Sequence, residues 1–208
     1  MRLFKVPALL YYIFNRFTWS IPVTDKSVFL TFDDGPTTEL CPYILDTLDK
    51  YGAKATFFCV GENVAKNPEI FKMIIERGHK VGNHTYSHED ARDVSHSTFI
   101  SSINKCNELV KSRLFRPPYG RIKPRLAKKI KRAGYKPIMW SVLSYDFDME
   151  ISAGFILRKI VNQTKPGSIV VFHDNLKAKR NLQIVLPRYL AFFKNKGYKF
   201  KTIPEKSV

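Results

Sequence analysis

Residues 28–36 read Val-Phe-Leu-Thr-Phe-Asp-Asp-Gly-Pro, a β-rich run that ends in two carboxylates and a turn. Tyr43–Tyr51 then carries apolar positions at helical spacing, and Ala55–Val60 (ATFFCV) is β-rich again. Strand, helix, strand is the unit that repeats outward from this point. The pattern predicts further strands at Lys80–Asn83, Leu114–Arg116, Pro137–Leu143, Ser168–Phe172 (SIVVF) and Tyr198–Ile203. Between them it predicts helices at Glu69–Glu76, Thr98–Lys111 with Ser97 as its cap, after Pro124, at Ser152–Gln163 and at Leu182–Asn195. ATFFCV and SIVVF lack polar alternation, as strands of a parallel sheet do when both faces are covered. About seven strands alternating with helices favour an α/β fold of the β/α-barrel type. An open doubly wound sheet is the alternative, because periodicity does not separate a closed sheet from an open one.

A chain of 208 residues with 44% hydrophobic and 25% charged side chains can bury one core, and collagen, disorder and low complexity are excluded. Thirty-five basic against 18 acidic residues leave +17, a field that concentrates polyanions or favours an anionic surface. Cys41, Cys59 and Cys106 form no C-x-x-C pair and are predicted to be free thiols. Val6–Phe14 is apolar behind Arg2 and Lys5, but no small-residue cleavage site follows, and the run is far short of the ~20 residues that span a bilayer. Residues 1–24 are therefore expected to rest on the folded domain or on a membrane surface, and residues 25–208 to form the domain. These features fit a cell-envelope-associated or a cytoplasmic location.

Five polar clusters fall where predicted strands end, which in a β/α barrel is where chemistry sits. Asp33 and Asp34 repel each other and, in an extended segment, point apart, so different partners and jobs are expected for them. Turn chemistry alone explains Asp-Gly-Pro; its position after a strand adds the functional reading. His84 and His88 in Gly82–His88 (GNHTYSH) share a face if that segment makes a helical turn, and two imidazoles with one carboxylate form a catalytic metal set. In Phe115–Gly120 (FRPPYG) the prolines stiffen a turn that can aim Arg116 and the amide after Pro118 at one point. Trp140–Asp148 (WSVLSYDFD) brings Asp146 and Asp148 to the rim, and Val171–Asp174 (VFHD) delivers His173 from a buried strand. His79 and His96 have no such context.

In this order, TFDDGP, H-T-x-x-H, R-P-P-Y-G, W-S-V-x-x-x-D and V-F-H-D resemble the polysaccharide deacetylase family, the NodB-homology or carbohydrate esterase 4 group. The resemblance implies a distorted (β/α)7 barrel that removes N-acetyl groups from GlcNAc-containing polysaccharide or oligosaccharide, of peptidoglycan or chitooligosaccharide type. It implies that Asp34, His84 and His88 bind one divalent metal, usually zinc, with cobalt, nickel or another transition metal as variants. Asp33 would be the general base and His173 the general acid. Arg116 would orient Asp33, Asp146 would support Arg116 or His173, and Thr85 would brace the metal loop. Pro118 and Tyr119 would shape the oxyanion site, with the Tyr119 N–H as donor. Phe147 and Val171 would wall the substrate pocket; they stand where the family has tryptophan and leucine, which alters the acetyl and sugar pockets.

Hydrolysis of another amide or of an O-acetyl ester on the same barrel is the nearest alternative. A non-catalytic basic module that binds anionic polymer is the other. Its support is the run Lys123–Arg132 (KPRLAKKIKR), although Leu126 and Ile130, four apart, read as the inner side of a solvated helix. Electrostatic association with an anionic envelope polymer or a membrane surface fits the charge. Nucleic-acid recognition is not expected, since aromatic residues fall in strands rather than among the basic runs, and no obligate protein partner is inferred.

Overall fold

The computed structural model describes residues 2–205, so the outermost ends of the two expected segments, Met1 and 206–208, lie outside it. In chain order its elements are α1 (Ala8–Ile13), β1 (Ser27–Asp33), α2 (Cys41–Lys50), β2 (Ala55–Cys59), α3 (Gly61–Lys66), α4 (Pro68–Glu76), β3 (Lys80–Asn83), α5 (His96–Val110), β4 (Leu114–Phe115), a 3-10 turn (Pro118–Gly120), α6 (Pro124–Arg132), β5 (Lys136–Pro137), β6 (Val142–Leu143), α7 (Ala153–Gln163), β7 (Ile169–His173), α8 (Lys179–Asn195) and β8 (Lys199–Phe200). The strands form one parallel sheet in the order β5-β4-β3-β2-β1-β7-β6, and β8 pairs with the start of β1. The sheet curls into a distorted β/α barrel with helices outside, as expected.

β1 shows how the sequence builds both sides of the wall. Side chains alternate across a strand. Val28, Leu30 and Phe32 join the large outer core with Leu45 and Leu48 of α2, Ile160 of α7 and Leu186 and Tyr189 of α8. Phe29 belongs instead to an inner cluster with Phe58, Leu114, Ile138, Ile169 and Ile203. Thr31 and Asp33 share the inner side with Phe29, so the barrel interior is apolar at the bottom and polar at the top. Phe32 is fully buried, its ring centroid 5.0 Å from that of Phe57 and 5.8 Å from that of Phe172.

Five sequence expectations change. Pro137–Leu143 is not one strand but β5 and β6, which share no ladder among the described residues. The N-terminal segment pairs there instead. Thr18 donates to Pro137 O (3.0 Å) and accepts from Met139 N (2.7 Å), while Val6 donates to Ser141 O (3.1 Å) and Phe4 O accepts from Leu143 N (3.0 Å). The final strand shrinks to β8, and among the described residues the sheet numbers eight strands rather than about seven. The cap of α5 is Ser95, whose Oγ accepts from Thr98 N at 3.1 Å, not Ser97. α3 was not anticipated: GENVAK is short, begins with glycine, and buries only Gly61 and Val64. No described helix is long and apolar enough to cross a membrane. All three cysteines are free and buried.

Removing the Phe32 ring leaves a cavity between two other rings in a core that cannot fully collapse. Phe32→Ala is expected to lower unfolding stability by about 3–5 kcal/mol, read from urea denaturation. A loss below about 1 kcal/mol would contradict the packing described.

Candidate active site

The upper ends of β1, β3, β4 and β7 and the loop after β6 carry the site. Asp33 ends β1, and parallel register places it beside His173, the last residue of β7. The next residue, Asp34, turns the chain with φ +80°, in the left-handed region that non-glycine residues rarely enter. Several bonds hold that turn. Asn63 donates to Asp34 O (2.7 Å), Val60 N to Gly35 O (2.9 Å), and Thr37 donates to Asp174 from both its backbone N (3.2 Å) and its hydroxyl (2.5 Å). A Cβ on Gly35 would overlap the Asp174 carboxylate, so only glycine fits there. Asp174 is fully buried, and that burial, against the opposing Thr37 bonds, raises its carboxyl to about 6.

Asp34 Oδ1 lies 3.1 Å from His88 Nε2 and 3.5 Å from His84 Nε2, and the three potential ligand atoms all fall within 4.8 Å of one another. The imidazoles do not meet through a helical turn, as spacing suggested. Residues 84–88 form an irregular bend with left-handed Thr85 (φ +65°) and His88 (φ +57°) that folds the second ring back onto the first, 5.0 Å between centroids. His84 Nδ1 is 2.7 Å from Arg116 O. A carbonyl only accepts, so Nδ1 holds the proton and Nε2 keeps a lone pair for a cation. Asn175 donates to Asp34 Oδ2 (2.6 Å) and accepts from Ala178 N (3.0 Å), which fixes its amide orientation and leaves Asp34 Oδ1 turned to the imidazoles. Burial alone would raise the Asp34 carboxyl, but the adjoining imidazoles outweigh it and hold it well below the ordinary range. One carboxylate oxygen and two imine nitrogens converging in this way fit a divalent transition metal.

Beneath the cluster, Arg116 has no exposed surface. Its NH1 donates to Asp33 Oδ1 (2.6 Å) and Thr31 Oγ1 (2.7 Å), its NH2 to Met139 O (2.9 Å) and its Nε to Ile138 O (3.2 Å). The Phe58 ring lies 4.1 Å below the guanidinium. Asp146, also fully buried, supports His173 and not Arg116. Its Oδ1 is 2.7 Å from His173 Nδ1 and its Oδ2 accepts from the His173 backbone N at 2.9 Å. Burial would lower the His173 pKa, but Asp146 and then Asp34 and Asp33 raise it to about 9.

Asp33, Asp34, His84, His88 and His173 line one cleft of about 830 Å³, with Tyr119, Phe147 and Val171 in its walls. Phe147 stands edge-on to His173 (4.8 Å) and Tyr119 edge-on to His88 (4.8 Å). Pro118 does not line the cleft; it is buried behind the turn that brings Tyr119, at φ +59°, to the wall. Asp148 pairs with Arg2 instead of entering the site. Sequence reasoning missed Asn175, Asp174 and Asn63. The only signal was that Asp174 and Asn175 directly follow His173 and carry groups that bond to a neighbouring turn.

The family model for polysaccharide deacetylase matches residues 20–138. The chain belongs to that family. A peptidoglycan-N-acetylglucosamine deacetylase of Bacillus cereus is 34% identical over 194 residues, covering 90% of this chain and 91% of the relative. A chitooligosaccharide deacetylase of Azorhizobium caulinodans is 32% identical over 161 residues, 74% of this chain and 76% of the relative. Among solved structures, a peptidoglycan N-acetylglucosamine deacetylase in complex with 4-naphthalen-1-yl-N-oxidanyl-benzamide superposes with a TM-score of 0.88 at 32% identity, covering 96% of this chain and 95% of that one.

The His173–Asp146 pair has a direct spectroscopic consequence. His173 is expected to titrate near 9, as followed by imidazole NMR shifts. In Asp146→Asn the partner's charge is gone while burial stays, so the titration should move to lower pH. Unchanged titration in the variant would contradict the pairing.

Proposed function

We propose that this polysaccharide deacetylase removes N-acetyl groups from a GlcNAc-containing glycan of peptidoglycan or chitooligosaccharide type, releasing acetate and leaving a free amine. One observation carries the reading: a carboxylate and two imidazoles fit to hold a metal share a cleft with a second, arginine-bound carboxylate and a carboxylate-bound imidazole. Relatives named for peptidoglycan and for chitooligosaccharide deacetylation support the substrate class. The N-oxidanyl-benzamide bound to the similar solved enzyme carries two oxygens suited to chelating a metal, in keeping with a metal-dependent family.

Asp34 Oδ1, His84 Nε2 and His88 Nε2 would hold the cation, with zinc as first choice and cobalt or nickel as substitutes. When bound, a divalent cation supplies Lewis-acid polarisation of the acetamide carbonyl and makes water a stronger acid. Asp33 takes the proton from the attacking water. Its Oδ1 is occupied by Arg116 NH1, so Oδ2 is the accepting atom and the carboxylate stays aimed. The Tyr119 backbone N–H is assigned to the oxyanion that forms on the carbonyl oxygen. His173 has Nδ1 engaged by Asp146, which leaves Nε2 to protonate the departing amine nitrogen as the C–N bond breaks. One water is consumed, its proton passes to Asp33, and the amine receives a proton from His173. Phe147 and Val171 shape the wall against which the sugar and acetyl group rest.

The test is a mass-spectrometric assay of acetyl loss from GlcNAc oligomers, peptidoglycan fragments and acetylated xylan with added zinc or cobalt. Loss from the amino sugars is expected. Asp33→Asn and His173→Ala should each cut turnover at least about 100-fold, with one equivalent of metal still bound per chain. Wild-type turnover in either variant would overturn its role. Activity confined to xylan would replace amide with ester hydrolysis.

A further inference from the structure

Two depressions lie on the outside of the barrel beside the catalytic cleft. The first, of about 470 Å³, shares Ser87 with the cleft and runs along the N-terminal half of α5. The second, of about 660 Å³, shares Ser97, Ser101 and Lys105 with the first and ends against Lys129 of α6. Residues 97, 101 and 105 are four apart and so share one helix face. The opposite face buries Phe99, Ile103 and Cys106 in the core. Along the groove the Lys105 ammonium sits 3.6 Å from the centroid of the Tyr86 ring. That contact covers the ring, so the groove offers serine and threonine hydroxyls and an ammonium, which suit the hydroxyls, acetamides and carboxylates of a glycan better than they suit an apolar partner.

Charge at the far end is one-sided. Between residues 109 and 145 the chain has eleven Lys and Arg and no Asp or Glu; Arg116 is sealed in the barrel and Arg121 pairs with Asp90, which leaves nine. α6 buries Leu126, Ala127 and Ile130 and exposes Arg125, Lys128, Lys129, Lys131 and Arg132. Among the described residues no ion pair forms on that helix. Two carboxylates touch the groove. Glu89 accepts from Ser87 Oγ at 2.9 Å, and Glu108 faces Lys105, Lys129 and the α6 row.

We propose that the groove over α5 is an accessory binding site for the polymer, taking the part of an acetylated glycan strand that lies outside the cleft. The strand bears carboxylates, on its sugars or on attached peptides, that meet the α6 cations. This rests on the deacetylase reading for the identity of the strand but not for its detection. None of the groove residues has a part in the proposed reaction.

The experiment compares the metal-loaded protein with Lys105→Glu/Lys129→Glu and with Ser101→Trp, which fills the groove. Three ligands are used: a short GlcNAc trisaccharide, a long neutral chitin-type strand and a long carboxylate-bearing peptidoglycan strand. Strand binding is measured by affinity electrophoresis, and acetate release gives kcat and KM. The double charge reversal is expected to raise KM and Kd about tenfold on the carboxylate-bearing strand, more at low salt than at high salt. Ser101→Trp should weaken both long strands, and trisaccharide kinetics should not change in either variant. Variants that bind long strands like the parent overturn the groove. Equal sensitivity of neutral and charged strands to charge reversal overturns the anionic partner. Absence of acetate release from every ligand would instead refute the deacetylase reading, while the binding comparison still decides the groove.

Discussion

A guanidinium sealed inside a barrel is the constraint on which the site depends. Arg116 cannot lose its charge and has no access to water, so each of its three nitrogens must find an acceptor, and leaving such a charge unpaired costs about 3–5 kcal/mol. Its acceptors come from Thr31 and Asp33 on β1 and from the carbonyls of Ile138 and Met139 beyond β5. The bonds therefore form only when β1, β4 and the segment after β5 are in register. The same residue's carbonyl meets His84 Nδ1 and sets that ring's tautomer. One side chain and its own backbone thus orient both the carboxylate assigned to proton transfer and a nitrogen assigned to the metal.

Backbone strain gathers around the same place. Of the six non-glycine residues with positive φ among the described residues, Asp34, Thr85, His88, Tyr119 and Tyr145 lie in loops of the site or beside them; Lys111 caps α5. Left-handed geometry costs about 1–3 kcal/mol per residue and persists only where neighbours hold it. Around Asp34 those neighbours are side chains with distant sequence numbers: Asn63, Asp174 and Asn175. The buried sheet below provides the rigid base from which these turns are aimed.

Much of this was legible in the sequence for physical reasons. ATFFCV and SIVVF are buried on both sides, so their lack of alternation marks parallel strands. The reactive residues follow strand ends, where a β/α barrel collects them. What could not be read depends on contacts between distant segments. Pro137–Leu143 is β-rich along its length, but pairing with Phe4, Val6 and Thr18 divides it. The choice of His173 over Arg116 as the partner of Asp146 is decided by how the loop after β6 lies against β7. Asn175 bears no motif, and its importance is visible only once its amide reaches Asp34. The bend that unites His84 and His88 relies on left-handed residues that periodicity cannot anticipate.

The most direct test of the account is anomalous diffraction from crystals of the protein grown with zinc, recorded on both sides of the zinc absorption edge. The account predicts a single peak bonded to Asp34 Oδ1, His84 Nε2 and His88 Nε2, with Arg116 still holding Asp33 beside it. A peak bound elsewhere, or no peak in crystals whose three side chains are ordered, would contradict it.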